Sequence, residues 1–460
     1  MKFTTIIACV SALSFAVPAR PAEDEVRQLK QQLQQLRDEF DKTRRQQEQQ
    51  IDTLTRKLAE LTNPPAASPT AAPVAPPAMA GAPAHAGGAY MNISYGALIA
   101  AGWSSVADPS AQLQLGDHDP IKRGFTLPNA EIAIDGAVDP YFKGFANIVL
   151  KLDKNNETEI ELEETYVQST SLPANLQLKA GQYFASFGRQ NPQHPHSWSF
   201  VDQPLILNRV FGPDGLRNIG AQLSWLAPTP FYTELSLGVF DGQGGTAFSF
   251  RNPGEPDSAG INRFAGRTTV DRSLRGAQDL LFVPRLATSF ELSDTQTLLA
   301  GLSGAFGPND TGPHSRSEVY GVDLFWKWKP ANAAQGFPYL TWQTEALYRR
   351  FGAAADPLAA LPAETLRDYG FYTQLLYGFM PRWNAGLRVD YVNGNAGAFD
   401  ASDPFRGERT RFAPELTFLL SEFSKIRLQY NLDHGESFGT ANSIWMQLEF
   451  GLGAHAAHKY

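Results

Sequence analysis

With 460 residues and a formal net charge of −8, the chain is long enough to bury a large core and has no basic excess to draw it to nucleic acid. Its single cysteine, Cys9, excludes an internal disulfide, and no stretch reaches the ~20 predominantly apolar residues of a membrane helix. Aromatic residues at 12%, 39 glycines and a slightly negative mean hydropathy instead suit a transmembrane barrel, whose strands present only every second residue to lipid.

Residues 1–19 read as a secretory signal: Lys2 is the charged start, Phe3 to Val17 the apolar run, and Val17-Pro18-Ala19 the small-residue cleavage site. Cys9 falls inside it, so the expected mature chain has no thiolate chemistry. Residues 23–62 then form a helix with a seam. Val26, Leu29, Leu33, Leu36 and Phe40 are spaced by three and four, and Ile51, Leu54, Leu58 and Leu61 resume the pattern after a stutter across polar Thr43 and Gln47. A short periplasmic coiled coil buries such a seam; a lone amphipathic helix on another surface is the alternative. Residues 63–88 are almost entirely Ala, Pro and Gly, a composition that cannot bury a core and makes an extended spacer.

From Tyr90 the period becomes two. Met91, Ile93, Tyr95, Ala97 and Ile99 alternate with Asn92, Ser94 and Gly96, and Phe142, Ala146, Ile148 and Leu150 with Lys143, Asn147 and Lys151. Later, Trp383, Ala385, Leu387, Val389 and Tyr391 oppose Asn384, Arg388 and Asp390, while Ile426, Leu428, Tyr430 and Leu432 oppose Lys425, Arg427, Gln429, Asn431 and Asp433. The last strand sets Ile444, Met446, Leu448, Phe450 and Leu452 against Gln447, Glu449, Gly451 and Gly453, with Trp445 the exception. It runs to an aromatic residue, Tyr460, the form of an outer-membrane insertion signal.

About 16 such strands are expected between residues 90 and 460, and their connections alternate in length. Short ones include Pro228-Thr229-Pro230, Ser293-Asp294 and Met380-Pro381-Arg382; long ones include Ser104 to Arg123, Ser186 to Leu216, Asp241 to Leu281, Gly352 to Arg367 and Asn393 to Glu408. A soluble sandwich has no reason to keep that alternation. The expected fold is therefore all-β, a transmembrane antiparallel barrel behind a short coiled coil. Glu164 breaks the parity of its strand and would face lipid unless a bulge at Glu163 and Glu164, or a subunit contact, absorbs it.

On these features, and on the stretch Phe187-Gly188-Arg189, His194-Pro195-His196-Ser197-Trp198, Phe200 to Leu205, Gly215-Leu216-Arg217 and Leu223-Ser224-Trp225, the chain resembles the phosphate-selective porin O/P family. The resemblance implies a passive outer-membrane channel for small hydrophilic solutes or ions, embedded in outer-membrane lipid, a homotrimer without a cofactor. It also implies that Ser186 to Leu216 folds into the lumen, which would bring Arg189, Asp202, Arg209 and Arg217 near the narrowest point. Glu131, Asp135, Glu159, Glu161 and Glu163 face the lumen from one side and Lys179, Arg388, Lys425 and Arg427 mostly from the other, setting up a transverse field. The dense ladder of cations expected for phosphate is not seen at matching positions.

His194 and His196 have the spacing of an extended ligand pair, but without cysteine the chain shows no four-ligand set, and packing is the expected role. His455 and His458 point to opposite faces of their strand. No compact nucleophile motif stands out, so no enzyme is expected; a barrel hydrolase and a structural tether are the competing readings. The leucine seam yields the first prediction. The excised segment Glu23 to Thr62 self-associates in sedimentation equilibrium, and its deletion leaves pores whose oligomers dissociate more readily in detergent; a helix that stays monomeric at about millimolar concentration would leave the seam to another partner.

Overall fold

A computed structural model describes residues 90–453 apart from Val138, Asp271, Ala396 and residues 398–404. The expected signal, coiled coil and spacer, together with His455 and His458, lie outside the described residues. The chain divides into two units, Met1–Ala84 and His85–Tyr460.

The second unit is one closed antiparallel barrel of 16 strands. In chain order they are β1 (Tyr90–Ser104), β2 (Gly124–Ala137), β3 (Phe142–Leu152), β4 (Thr158–Ser169), β5 (Leu176–Phe184), β6 (Arg217–Leu226), β7 (Thr233–Phe240) and β8 (Leu281–Ser293). They continue with β9 (Gln296–Pro308), β10 (Arg316–Trp328), β11 (Tyr339–Ala353), β12 (Glu364–Met380), β13 (Trp383–Gly394), β14 (Arg409–Ser421), β15 (Ser424–Gly435) and β16 (Gly439–Gly453). Each strand pairs with its neighbours in sequence, and β16 returns to β1 in a register from Ser94↔Gly453 to Ser104↔Ser443. At that closure Gly102 lies against β16 so closely that an added Cβ would stand 2.1 Å from the Ile444 carbonyl oxygen.

The facing follows the period-two reading. On β16, Met446 and Leu448 are 54% and 37% exposed on the outside, whereas Gln447 is 2% exposed on the inside. Trp445, the exception in sequence, points inward and is buried. Outward aromatics Tyr141, Tyr232, Phe290, Tyr377, Phe379 and Phe423 gather in a girdle at the end with the short turns. Between β3 and β4 the register shifts from Asn147↔Glu164 to Ile148↔Leu162, so Glu163 is the extra residue of a bulge. Glu163 and Glu164 are both buried. The bulge, rather than a subunit contact, removes Glu164 from the lipid face, and Gln182 on β5 donates to the Leu162 carbonyl beside it at 2.5 Å.

At the opposite end the long connections rise. The loop between β1 and β2 carries a single helical turn, α1 (Pro109–Gln112), capped by the Asp108 carboxylate on the Ala111 amide. The loop between β7 and β8 holds a small sheet of Glu255–Pro256, Asn262–Phe264 and Arg267–Thr268. Arg267 ties it to the next loops through the carbonyls of Ala354 and Pro362 and the Glu364 carboxylate.

The facing assignment yields a second prediction. Met446→Arg, at the middle of β16, costs roughly 2–4 kcal/mol because a cation there sits in the hydrocarbon centre, while Thr440→Arg at the strand's end costs about 0–1 kcal/mol. Urea titration of refolded protein in vesicles measures both, and a Met446→Arg cost no larger than that of Thr440→Arg would mean that Met446 does not face hydrocarbon.

Candidate functional site

The lumen is crossed by the segment between β5 and β6. Its apolar residues behave as a detached piece of core: Phe187, Leu205, Ile206, Leu207, Val210 and Phe211 pack on inward residues of the wall, among them Val283, Val319, Leu347, Tyr372 and Val392. Residues Leu205–Phe211 form the helix α2, every one of them buried, resting on β11, β12 and β13. Gly212, at φ 76°, ends the helix with its amide on the Asn208 carbonyl. Room for the segment is made in the wall. Gly321 on β10 leaves the space taken by the Phe187 ring, to which an added Cβ would come within 2.6 Å. Burying side chains of this size contributes roughly 1.5–3 kcal/mol each.

Polar contacts then set the segment's position. Asp202 accepts four side-chain hydrogen bonds: Oδ1 from Arg388 at 2.5 Å and Gln429 at 2.9 Å, Oδ2 from Arg411 at 2.8 Å and Asn431 at 2.6 Å. Arg388 also binds Asp390 at 2.8 Å, and Asp433 receives Arg411 at 3.0 Å and Arg409 at 2.6 Å. The result is an alternating ladder of carboxylates and guanidiniums on β13, β14 and β15, with Asp202 inserted as one rung. Burial disfavours the Asp202 charge, but Arg388 and Arg411 outweigh it and hold the carboxyl well below the usual range. Nearby Asp119, in the loop after β1, has the opposite balance. Burial and the Asp202 charge push it up to about 7, although it accepts from the amides of Gln203 at 2.8 Å and Gly116 at 2.7 Å. Backbone groups of the segment are satisfied by the wall too: the Val201 amide donates to Gln429, the Leu205 amide to Asp390, and the Trp198 and His196 carbonyls accept from Arg427 and Lys425.

A second polar group lies against β2, β3 and β4. His194 places Nδ1 2.7 Å from Glu163 and Nε2 2.9 Å from Glu164, His196 contacts Glu131, and His118 Nε2 faces Glu163 at 3.5 Å. Burial works against a charge on His194, yet Glu163 and Glu164 raise its pKa well above the ordinary value. His118 follows the same logic, burial opposed by Glu163, and rises to about 9.

The four residues expected at the constriction are not gathered into one cluster. Asp202 is in the ladder. Arg209 bonds to Gln114 and to the carbonyls of Arg406 and Gly407, with Asp368 at 3.7 Å. Arg217 is held by Glu161 and by the Leu162 and Glu163 carbonyls exposed at the bulge. Arg189 alone of the four is half-buried, its guanidinium 3.8 Å over the Phe325 ring and bonded to Gln343 at 3.2 Å.

Of the expected lumen charges, Glu131 and Glu163 join the histidine group. Glu159 and Glu161 approach Lys151 at 3.8 and 3.5 Å, Asp135 accepts from Asn92, Lys179 lies 3.8 Å from Glu164 and over the Tyr166 and Tyr183 rings, and Lys425 pairs with Glu449 at 2.8 Å. Arg388 and Arg427 are buried rather than solvated. Arg388 on β13 stands seven places around the 16-strand ring from β4, and on each side the charges are paired locally. Sequence reasoning missed Arg409, Arg411, His118 and the buried pair of Arg349 on β11 with Asp368 on β12, 2.5 Å apart. Strand parity places Arg409 and Arg411 beside Asp390 and Asp433, which was the available signal; nothing local marks His118, which reaches the site from a loop.

No protein-family model matches the chain. It is 32% identical to an uncharacterized protein of Aquifex aeolicus strain VF5 over 358 residues, 74% of this chain and 71% of that one. The barrel matches the outer membrane channel DcaP of Acinetobacter baumannii with a TM-score of 0.52 at 10% identity, over 81% of this chain and 100% of that one. Pseudomonas putida OprB, in its high-pH structure, gives a TM-score of 0.48 at 11% identity over 79% and 94% of the two chains. The likeness to DcaP carries the fold alone.

The ladder yields the third prediction. Asp202→Ala leaves Arg388 and Arg411 without a shared counter-charge and costs about 3–5 kcal/mol. Its melting temperature in detergent falls and, with the segment released from the wall, its single-channel conductance rises. An unchanged melting temperature and conductance would mean that the apolar contacts hold the segment unaided.

Proposed function

This chain belongs to the family of the Aquifex aeolicus protein, and we propose that it is an outer-membrane channel through which small hydrophilic solutes or ions diffuse. The observation that carries the reading is a closed barrel with an apolar outside and a charged inside, narrowed by a segment anchored within. The girdle of outward aromatics supports seating in lipid. No catalytic step is needed. The seam at residues 23–62 and the spacer at 63–88 support a periplasmic coiled coil joining barrels into a homotrimer.

The resemblance to phosphate-selective porins points to anions, but the charge pairing narrows the residues that could favour them. Arg388, Arg409 and Arg411 share Asp202, Asp390 and Asp433, so that ladder is internally compensated. Of the lumen cations named above, Arg189 and Arg427 make no guanidinium–carboxylate ion pair among the described residues; the Arg189 guanidinium is bonded to Gln343, and its backbone amide donates to Glu345 at 3.1 Å. Arg189 is the more exposed of the two and is the residue to which we assign the charge preference.

In a planar bilayer the protein gives discrete ohmic steps; a structural tether gives none. Under a salt gradient, Arg189→Ala shifts the reversal potential toward cations, since it removes a positive charge from a narrow, poorly screened space. Arg217→Ala mainly lowers thermal stability, because it removes the buried donor shared by Glu161 and the two bulge carbonyls. An unshifted reversal potential in Arg189→Ala would place selectivity elsewhere in the lumen.

A further inference from the structure

The histidine group holds more than charge pairing. Glu131 on β2, Glu163 on the β4 bulge and His194 on the inserted segment are all buried, and their ligand-type atoms lie within 4.8 Å of one another. Three of those atoms converge on one point. Glu131 Oε2, Glu163 Oε2 and His194 Nδ1 stand 3.5, 2.6 and 3.2 Å from the Asn147 amide nitrogen. Asn147 is buried between them, and its own Oδ1 has no hydrogen-bond donor, nor has the Oδ1 of adjacent Asn129; Glu163 Oε1 has only His118 Nε2, at 3.5 Å. The group therefore has buried acceptor oxygens in excess of the donors that reach them, the deficit that a cation makes good.

The outer contacts have the form that supports a metal-bound imidazole. His194 turns Nδ1 toward the two glutamates while Nε2 meets Glu164 at 2.9 Å, so a carboxylate orients the ring from behind. His196, stacked on His194 with centroids 5.7 Å apart, contacts Glu131 and orients that ligand in turn. Rotating the Asn147 amide by half a turn exchanges Nδ2 for the unpartnered Oδ1, adding a fourth oxygen donor.

We propose that Glu131, Glu163, His194 and Asn147 form a binding site for a divalent transition-metal cation of the zinc class. Imidazole nitrogen with carboxylate and amide oxygen favours such an ion over calcium or magnesium, which take oxygen alone. Binding releases the Nδ1 proton to solvent, places the Nδ1 lone pair on the ion and leaves the other ring proton on Nε2, against Glu164; no electron changes hands. Since Glu131 and Glu163 belong to the barrel wall and His194 to the segment, the ion pins the segment to β2, β3 and β4, on the side away from the Asp202 ladder. The site stands whether or not the barrel conducts.

The test uses the mature full chain, purified in detergent, stripped with chelator, incubated with zinc chloride and passed through gel filtration. Expected is about one retained zinc per chain, with affinity reduced at least about tenfold in Glu131→Gln and in His194→Asn, and unchanged in His434→Asn. Heat-modifiable electrophoretic mobility reports whether each variant is folded. Where His194→Asn does not fold, the zinc absorption edge of the unaltered protein decides instead, showing imidazole and oxygen donors at about 2.0–2.2 Å. Three results overturn the site: an unaltered protein that retains no zinc, a folded Glu131→Gln that retains as much as the unaltered chain, or zinc lost only when His455 and His458 are replaced.

Discussion

A sheet in hydrocarbon has no water to satisfy its edges, and each unpaired backbone group there costs several kcal/mol. Closure of β16 on β1 removes both edges, and the other features of the barrel are consequences of that closure. Sixteen strands enclose a lumen wider than wall side chains can fill, since about eight already suffice to pack an interior. The segment between β5 and β6 occupies the excess. Its apolar face, Phe187 with Leu205 to Phe211, finds a small apolar patch on the inner wall, and the rest of the wall is polar, so the remaining contacts are ionic.

Those ionic contacts determine where the segment lies more than how tightly it is held. A buried pair gains Coulomb energy but loses hydration, and replacing it with apolar residues is often neutral. Direction is another matter. Asp202 has donors from Arg388, Arg411, Gln429 and Asn431 converging on two oxygens, and a shift of one residue along the segment would leave all four without their acceptor. On the other side the bulge at Glu163 brings two consecutive carboxylates inward, one to each ring nitrogen of His194. The segment is thus referenced to β13–β15 by an aspartate and to β2–β4 by histidines. The passage between these anchors takes its shape from side chains locked at both ends.

Strand existence and facing were legible because period-two alternation is a local property. The alternating runs at Met91, Phe142, Trp383, Ile426 and Ile444 all lie within observed strands, and Arg388, Asp390, Arg427 and Gln447 point inward as their parity requires. Parity even exposed its own failure: Glu164 broke the pattern, a bulge or a subunit contact would absorb it, and the bulge is there. Trp445 shows the limit of the same rule, since an aromatic at an inward position reads as an error until the lumen is known to hold apolar packing.

What alternation cannot encode is which inward charges meet. Asp202 and Arg388 are far apart in the chain, as are His118 and Glu163, and their encounters depend on ring position, strand stagger and the path of two loops. The sequence by itself determined a closed barrel with lumen-facing charges, because those follow from residue type at period two and from loop length, while the inserted segment came from the family resemblance. Only the tertiary structure decided that Arg209 and Arg217 are consumed by partners, that Arg189 keeps some exposure, and that Glu131, Glu163 and His194 share one pocket. Pairing among buried charges is a property of distances in space, and a period along the chain contains no such distances.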